Sequence, residues 1–255
     1  MPSLVSNLAV GLASFAQYEF ACGRAYAFSE SYLAKPLVEI LSSWFPNGTA
    51  FTELRHPTLE RPDGQGSQPR IDAGVLLKED TKELREGRLV ACVELKWCGD
   101  GAIPSGASVL WDLYRLASIS YHRPEVECYF VLAGSTGSIK SFLAKTAESR
   151  LIRRRTRKEP EVFGTFLRTE IKGKFGQLRF DRLNPTLQRD IEAKFKKYRA
   201  SSFDLSVNIQ QPEIVRHDAA PIEPRTNQPP RTGFTAIASR IVSARPHEAS
   251  NVPAD

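Results

Sequence analysis

The stretch from Arg70 to Trp97 constrains the chain most: it reads RIDAGVLL, then KEDTKELREGR, then LVACVELKW. Two short apolar runs joined by a polar, glycine-containing connection predict neighbouring antiparallel strands. Side chains alternate faces along a strand, so Glu94 and Lys96 share one face while Val93, Leu95 and Trp97 share the other. Asp72, Glu94 and Lys96 therefore sit in or beside strands, where an unpaired charge is expensive to bury. One reason to accept that cost is a divalent cation, because Asp72 and Glu94 offer the hard oxygen ligands that Mg²⁺ takes. The alternative is structural: Glu94 and Lys96 pair with each other or with neighbours on a half-exposed face, and Asp72 closes a turn.

The order Arg70-Ile71-Asp72, twenty-one intervening residues, then Glu94-Leu95-Lys96 resembles the motif of the PD-(D/E)xK nuclease superfamily. The proline that usually precedes the Asp is absent, and Pro69 lies three positions earlier. The resemblance spans roughly residues 25–150. It implies an α/β chain with the restriction-endonuclease-like fold, an α/β/α core whose central mixed sheet is flanked by helices. It also implies Mg²⁺, with Mn²⁺ as a substitute, held by Asp72, Glu94 and the carbonyl of Leu95. Lys96 would then assist deprotonation of the attacking water or stabilise charge on the phosphate, and the implied activity is hydrolysis of DNA phosphodiester bonds. Members often draw a further Glu from an N-terminal helix, which the SESYL setting matches to Glu30 ahead of Glu39; a Glu at a helix start is equally stabilised by the helix dipole alone. The sequence Asp112-Leu113-Tyr114-Arg115-Leu116 resembles a helix that many members carry after the E-x-K strand. There Arg115 either pairs with Asp112 one turn away or reaches a phosphate. A catalytically inactive nucleic-acid- or protein-binding module of the same fold, or an assembly protein with a salt-bridged sheet face, would use the same residues differently.

Charge is unevenly placed. Residues 150–200 hold 16 Lys and Arg against 6 Asp and Glu, although the whole chain carries only +6. Such a segment suits a phosphate backbone and also suits an ordinary solvated face. Within it, Arg153, Arg154, Arg155, Arg157 and Lys158 form the densest run and the candidate grip on DNA. The four cysteines lack any C-x-x-C pair, which argues against a zinc site or disulfide framework and for core thiols. No apolar run has the length of a membrane span, and the first twenty residues lack a basic n-region, so a cytoplasmic protein is expected. Paired cuts on a duplex usually need two active sites, which makes a homodimer an expected assembly.

Along the chain, apolar spacing predicts helices over 3–20 and 22–43, with Ser29 or Ser31 as cap and Pro36 marking a kink or late start. A strand is expected over 50–56, with Glu53 either on its solvent side or a further inward acid. A helix over 106–121 follows, then a central strand over 125–135 and a helix capped by Ser138. Further expectations are a hairpin within 161–182, a helix begun by Asn184-Pro185, and an edge strand in FDLSVNIQ. This gives a nuclease-like domain over 1–210, made of the core and a basic extension from about 150. Seven of the seventeen prolines fall in 211–255, which reads as a disordered, proline-rich tail with a helical island over 235–243 able to dock on a protein partner.

Overall fold

The computed structural model describes residues 3–24, 27–60, 67–77, 88–99, 103–148, 176–179, 183–198, 206–210, 212–217 and 233–244. Two helices come first. Helix α1 (Leu4–Ala21) is capped by Ser3, whose hydroxyl accepts from the Ser6 amide at 3.1 Å. Helix α2 (Glu30–Trp44) is capped by Ser29, which accepts from the Tyr32 amide at 3.1 Å. Pro36 lies within α2 and delays nothing; residues 22–24 and 28–29, expected as helix, precede it as non-helical chain.

The meander expected from the two apolar runs follows: β1 (Gly48–Arg55), β2 (Arg70–Leu77) and β3 (Arg88–Cys98), paired antiparallel in that order. Helix α3 (Gly106–His122) then crosses over to β4 (Glu127–Ser135), which runs parallel to β3. Gly134 lies opposite Cys98 in this pair, and a Cβ there would strike the Cys98 carbonyl. Helix α4 (Thr136–Glu148) starts three residues earlier than expected, with Ser135 rather than Ser138 as the cap: its hydroxyl accepts from the Ser138 amide at 3.1 Å. The remaining elements are β5 (Gly176–Arg179), α5 (Pro185–Lys197), β6 (Ser206–Ile209), β7 (Glu213–His217) and β8 (Phe234–Ala244). Asn184 caps α5 and Pro185 stands in its first turn, as the sequence predicts.

The chain is thus an α/β protein with a mixed sheet flanked by helices, in the order β1-β2-β3-β4-β8-β6-β5. Helices α1 and α2 cover one face, where Leu8, Leu12, Leu33 and Leu37 meet Val93, Leu95, Val131 and Ala236. Helices α3, α4 and α5 supply the opposite core, in which Leu113, Phe142 and Phe195 join Cys92, Cys128, Phe130 and Ile237. Three of the four cysteines are buried thiols, as expected, and Cys22 is exposed. Among the described residues no helix is long and apolar enough to cross a membrane.

The expectation of a disordered tail from 211 does not hold for 212–217 and 233–244. Strand β8 lies between β4 on one edge and β6 with β7 on the other, pairing Val131 with Ala238 and Ile209 with Ile241. No helix forms over 235–243; the segment is strand throughout. Its eleven residues contain no proline or glycine, and alternating Phe234, Ala236 and Ala238 meet the α1–α2 face while Ile237 and Ile241 meet the other. Strand β6 is correspondingly internal, not an edge, since β5 pairs with it on its outer side. Of the expected 161–182 hairpin only Gly176–Arg179 lies among the described residues. Removing residues 211–255 should therefore abolish the fold instead of trimming a dispensable tail. A chain ending at 210 is expected to lose the cooperative thermal transition of the full chain in circular dichroism; a melt within a few degrees of the full chain would refute this.

Candidate functional site

The site forms where the sheet opens. Pairing between β2 and β3 runs from Leu77↔Arg88 to Ala73↔Val93 and stops before Asp72 and Glu94. There the Asp72 carboxylate takes over a strand's role and accepts from the Leu95 amide at 2.7 Å. On the other side of β2, Glu53 stands at φ 55° between the pairs Thr52↔Ala73 and Leu54↔Ile71. A left-handed Glu costs roughly 1–3 kcal/mol. Both neighbours of Asp72 are thus irregular.

Helix α2 delivers Glu30 to the same place from its first turn. One carboxylate oxygen accepts from the Trp97 amide at 3.4 Å, and the other lies 3.5 Å from Lys96 Nζ. Glu30, Asp72, Leu95 and Trp97 line an open cleft of about 730 Å³. Glu53 lines it too but is exposed, with only a loose 3.8 Å pairing to Arg70. Glu39 is exposed further along α2 and does not reach the cleft.

Glu94 and Lys96 share a face, as strand alternation requires, and α3 covers it. Glu94 retains 1 % of its exposure and lies 3.0 Å from Arg115 Nη2. That contact is close enough for an ion pair, yet Glu94 Oε1 has no aligned hydrogen bond among the described residues. Arg115 also holds Asp112 at 3.3 Å and donates to the carbonyl of Arg70. Asp112 in turn lies 3.0 Å from Lys96 Nζ, which closes a relay from Glu94 through Arg115, Asp112 and Lys96 to Glu30. Arg115, expected either as a helix ion pair or as a phosphate contact, is the first and is enclosed: it serves as the internal counter-ion of two carboxylates. The pair with Asp112 was legible from i,i+3 spacing; the grip of both on the E-x-K strand was not, because it depends on which α3 face packs there.

Charges here do not balance. Four carboxylates (Glu30, Asp72, Glu94, Asp112) meet two cations (Lys96, Arg115). Burial pushes the Glu94 carboxyl well up, against the pull of Arg115, with Asp112 and Asp72 raising it further. Asp112 is raised for the same first reason, against Lys96 and Arg115. Burial also raises Glu30, with Lys96 lowering it and Asp72 raising it. For Lys96, burial pulls the pKa down, but Asp112 and Glu30 outweigh it and hold the ammonium above its ordinary range. Surplus negative charge on hard oxygens fits Mg²⁺ in donor chemistry. In arrangement the fit is incomplete: among the described residues no three His, Cys, Asp or Glu side chains converge as a ligand set, since Glu94 turns to Arg115 while Asp72 and Glu30 line the cleft.

The expected DNA grip at Arg153, Arg154, Arg155, Arg157 and Lys158 lies outside the described residues. Within them, α5 ends in exposed Lys194, Lys196 and Lys197, the first over the Trp111 ring at 5.0 Å. No protein-family model, curated protein or solved structure matches the chain.

Beside the relay, His56 pins the turn after β1: its Nδ1 accepts from the Leu59 amide at 3.1 Å, and the ring is buried against the backbone of Arg115. Burial, aided by the charge of Arg115, lowers its pKa to about 3. The ring is neutral when folded and protonates near 6.5 when unfolded, so the unfolded chain binds the extra proton between those values and stability falls as pH drops from about 6.5 toward 3. The difference in denaturant midpoint between wild type and His56→Asn should therefore shrink from pH 7 to pH 5; a constant difference would refute the assignment. Arg115→Met strands two buried carboxylates and should cost about 3–5 kcal/mol at pH 7. That deficit is expected to lessen at pH 5 as the carboxyls protonate, and a loss under 1 kcal/mol by chemical denaturation would contradict the relay.

Proposed function

We propose that the protein is a metal-dependent nuclease that hydrolyses DNA phosphodiester bonds. The observation that carries this reading is the meeting of Glu30 and Asp72 at one cleft, at the point where the β2–β3 pairing ends, with Lys96 beside them 3.5 Å from Glu30. A well-packed sheet gains nothing from that concentration of charge, whereas phosphoryl transfer depends on it. A bound divalent ion would polarise a phosphoryl oxygen and lower the pKa of water. Asp72, Glu94 and the Leu95 carbonyl would hold it, with Glu30 beside them, and Glu94 is the one that must give up a present partner, Arg115.

Lys96 supplies the charge that the phosphate needs. Its ammonium is held between Asp112 at 3.0 Å and Glu30 at 3.5 Å, close to the cleft, and neutralises negative charge building on the phosphate in the transition state. The same pairing favours charge stabilisation over proton abstraction for this lysine, because a base must first lose the proton that two carboxylates retain. Asp112 acts through Lys96 and is a positioning residue. A second reading, a binding module of this fold without catalysis, is favoured by one observation: Glu94 already has Arg115 as its counter-ion.

Incubation of the full chain with supercoiled plasmid and with single-stranded DNA, in Mg²⁺, Mn²⁺ or EDTA, separates the two. Cleavage that requires metal and falls about a hundredfold or more in Asp72→Ala and in Lys96→Ala supports the nuclease. Retention of DNA without cleavage under every metal condition would establish the binding module.

A further inference from the structure

Acids are only half of the cleft. Phe28, Trp97, Ile103 and Pro104 give it an apolar lining as well. The Phe28 ring is fixed by Trp97 at 5.1 Å, Phe234 at 5.3 Å and Tyr32 at 6.0 Å, so it is preorganised without any ligand. Trp97 is nearly buried behind it, whereas Ile103 is 43 % exposed, a large apolar side chain left in water at the cleft. The catalytic reading accounts for Glu30, Asp72 and Lys96 but gives Phe28 and Ile103 nothing to do.

A nucleotide has both chemistries that the cleft offers. Its phosphate with a divalent ion suits the carboxylates, and its base offers a flat apolar face to a fixed ring. The cleft volume of about 730 Å³ falls among sites for small ligands, roughly 300–1,000 Å³. That space holds an unstacked nucleotide and not the paired strands of a helix. In a duplex the base faces are hidden within the stack, and only an unpaired or extruded base can meet a protein ring. Glu30, Glu53 and Asp72 would repel a bare phosphate, so entry requires the cation.

We propose that the cleft binds an unpaired nucleotide of a DNA strand, its base against Phe28 and Ile103 and its phosphate toward Glu30 and Asp72, so that the site acts on single-stranded or frayed DNA in preference to intact duplex. This rests on the nuclease reading above and specifies its substrate.

The test uses the full chain and a single-stranded oligonucleotide carrying 2-aminopurine, whose fluorescence reports stacking, with Ca²⁺ as a non-catalytic cation. The expected result is a stacking signal that is lost in EDTA and competed by unlabelled single strands at least tenfold better than by blunt duplex. Ile103→Ser and Phe28→Ala should each weaken binding about tenfold, and Phe28→Trp should retain it. Ile103 is exposed, so its variant remains informative if Phe28→Ala fails to fold. Equal competition by duplex, or wild-type binding in a folded Ile103→Ser, overturns the proposal. Failure of the nuclease reading is distinguishable: no DNA would be cut in Mg²⁺ or Mn²⁺ while selective stacking persists, which leaves the nucleotide site standing. Duplex cut as fast as single strands, without a stacking signal, leaves the nuclease and removes this inference.

Discussion

The grip of α3 on the E-x-K strand is the constraint on which the rest of this structure depends. Glu94 is buried in the middle of the sheet and would be intolerable there alone; Arg115 makes it tolerable, and Asp112 then makes Arg115 and Lys96 compatible. Each partner solves the desolvation problem of the one before. The relay also fixes the docking of α3, because a guanidinium that holds two carboxylates and a backbone carbonyl at once leaves the helix little freedom to slide or rotate.

At its other end the relay reaches Glu30, which belongs to the helices of the opposite face. The helix layers on opposite faces of the sheet are therefore joined electrostatically across the end of β3. This is possible only because the β2–β3 pairing has ended, which lets Asp72 accept from Leu95 and lets Glu30 accept from Trp97. The opening removes ladder bonds and replaces them with carboxylate bonds. The cleft is the space this leaves between α2 and the sheet.

Much of this was legible in the chain. Alternation placed Glu94 and Lys96 on one face, Ser29 was one of the two expected caps for the helix that carries Glu30, and Asn184-Pro185 marked α5. Two things were not. The opposite orientations of Asp72 and Glu94 arise from irregularity around Asp72, signalled only by the left-handed Glu53, for which no residue type is diagnostic. The strand Phe234–Ala244 was hidden because proline content averaged over a long segment obscures a proline-free run within it. Its Ala, Ser and Thr residues also mute the apolar alternation, because Ala236 and Ala238 are the small members of the face that packs with α1 and α2. Periodicity over a short window carries the signal that composition over a long one erases.

The position of β8 has a consequence for the birth of the protein. Strand β4 (Glu127–Ser135) is made before Phe234–Ala244, which completes one of its edges from far along the chain. While ribosomes are still translating the intervening residues, β4 presents an unsatisfied row of amides and carbonyls beside large apolar side chains, a template for pairing with the wrong partner. Closing the sheet must then wait for a contact between distant segments, the kind that slows folding most. The order of synthesis therefore runs against the order of the sheet, and that edge of β4 stays open to a provisional occupant until β8 emerges.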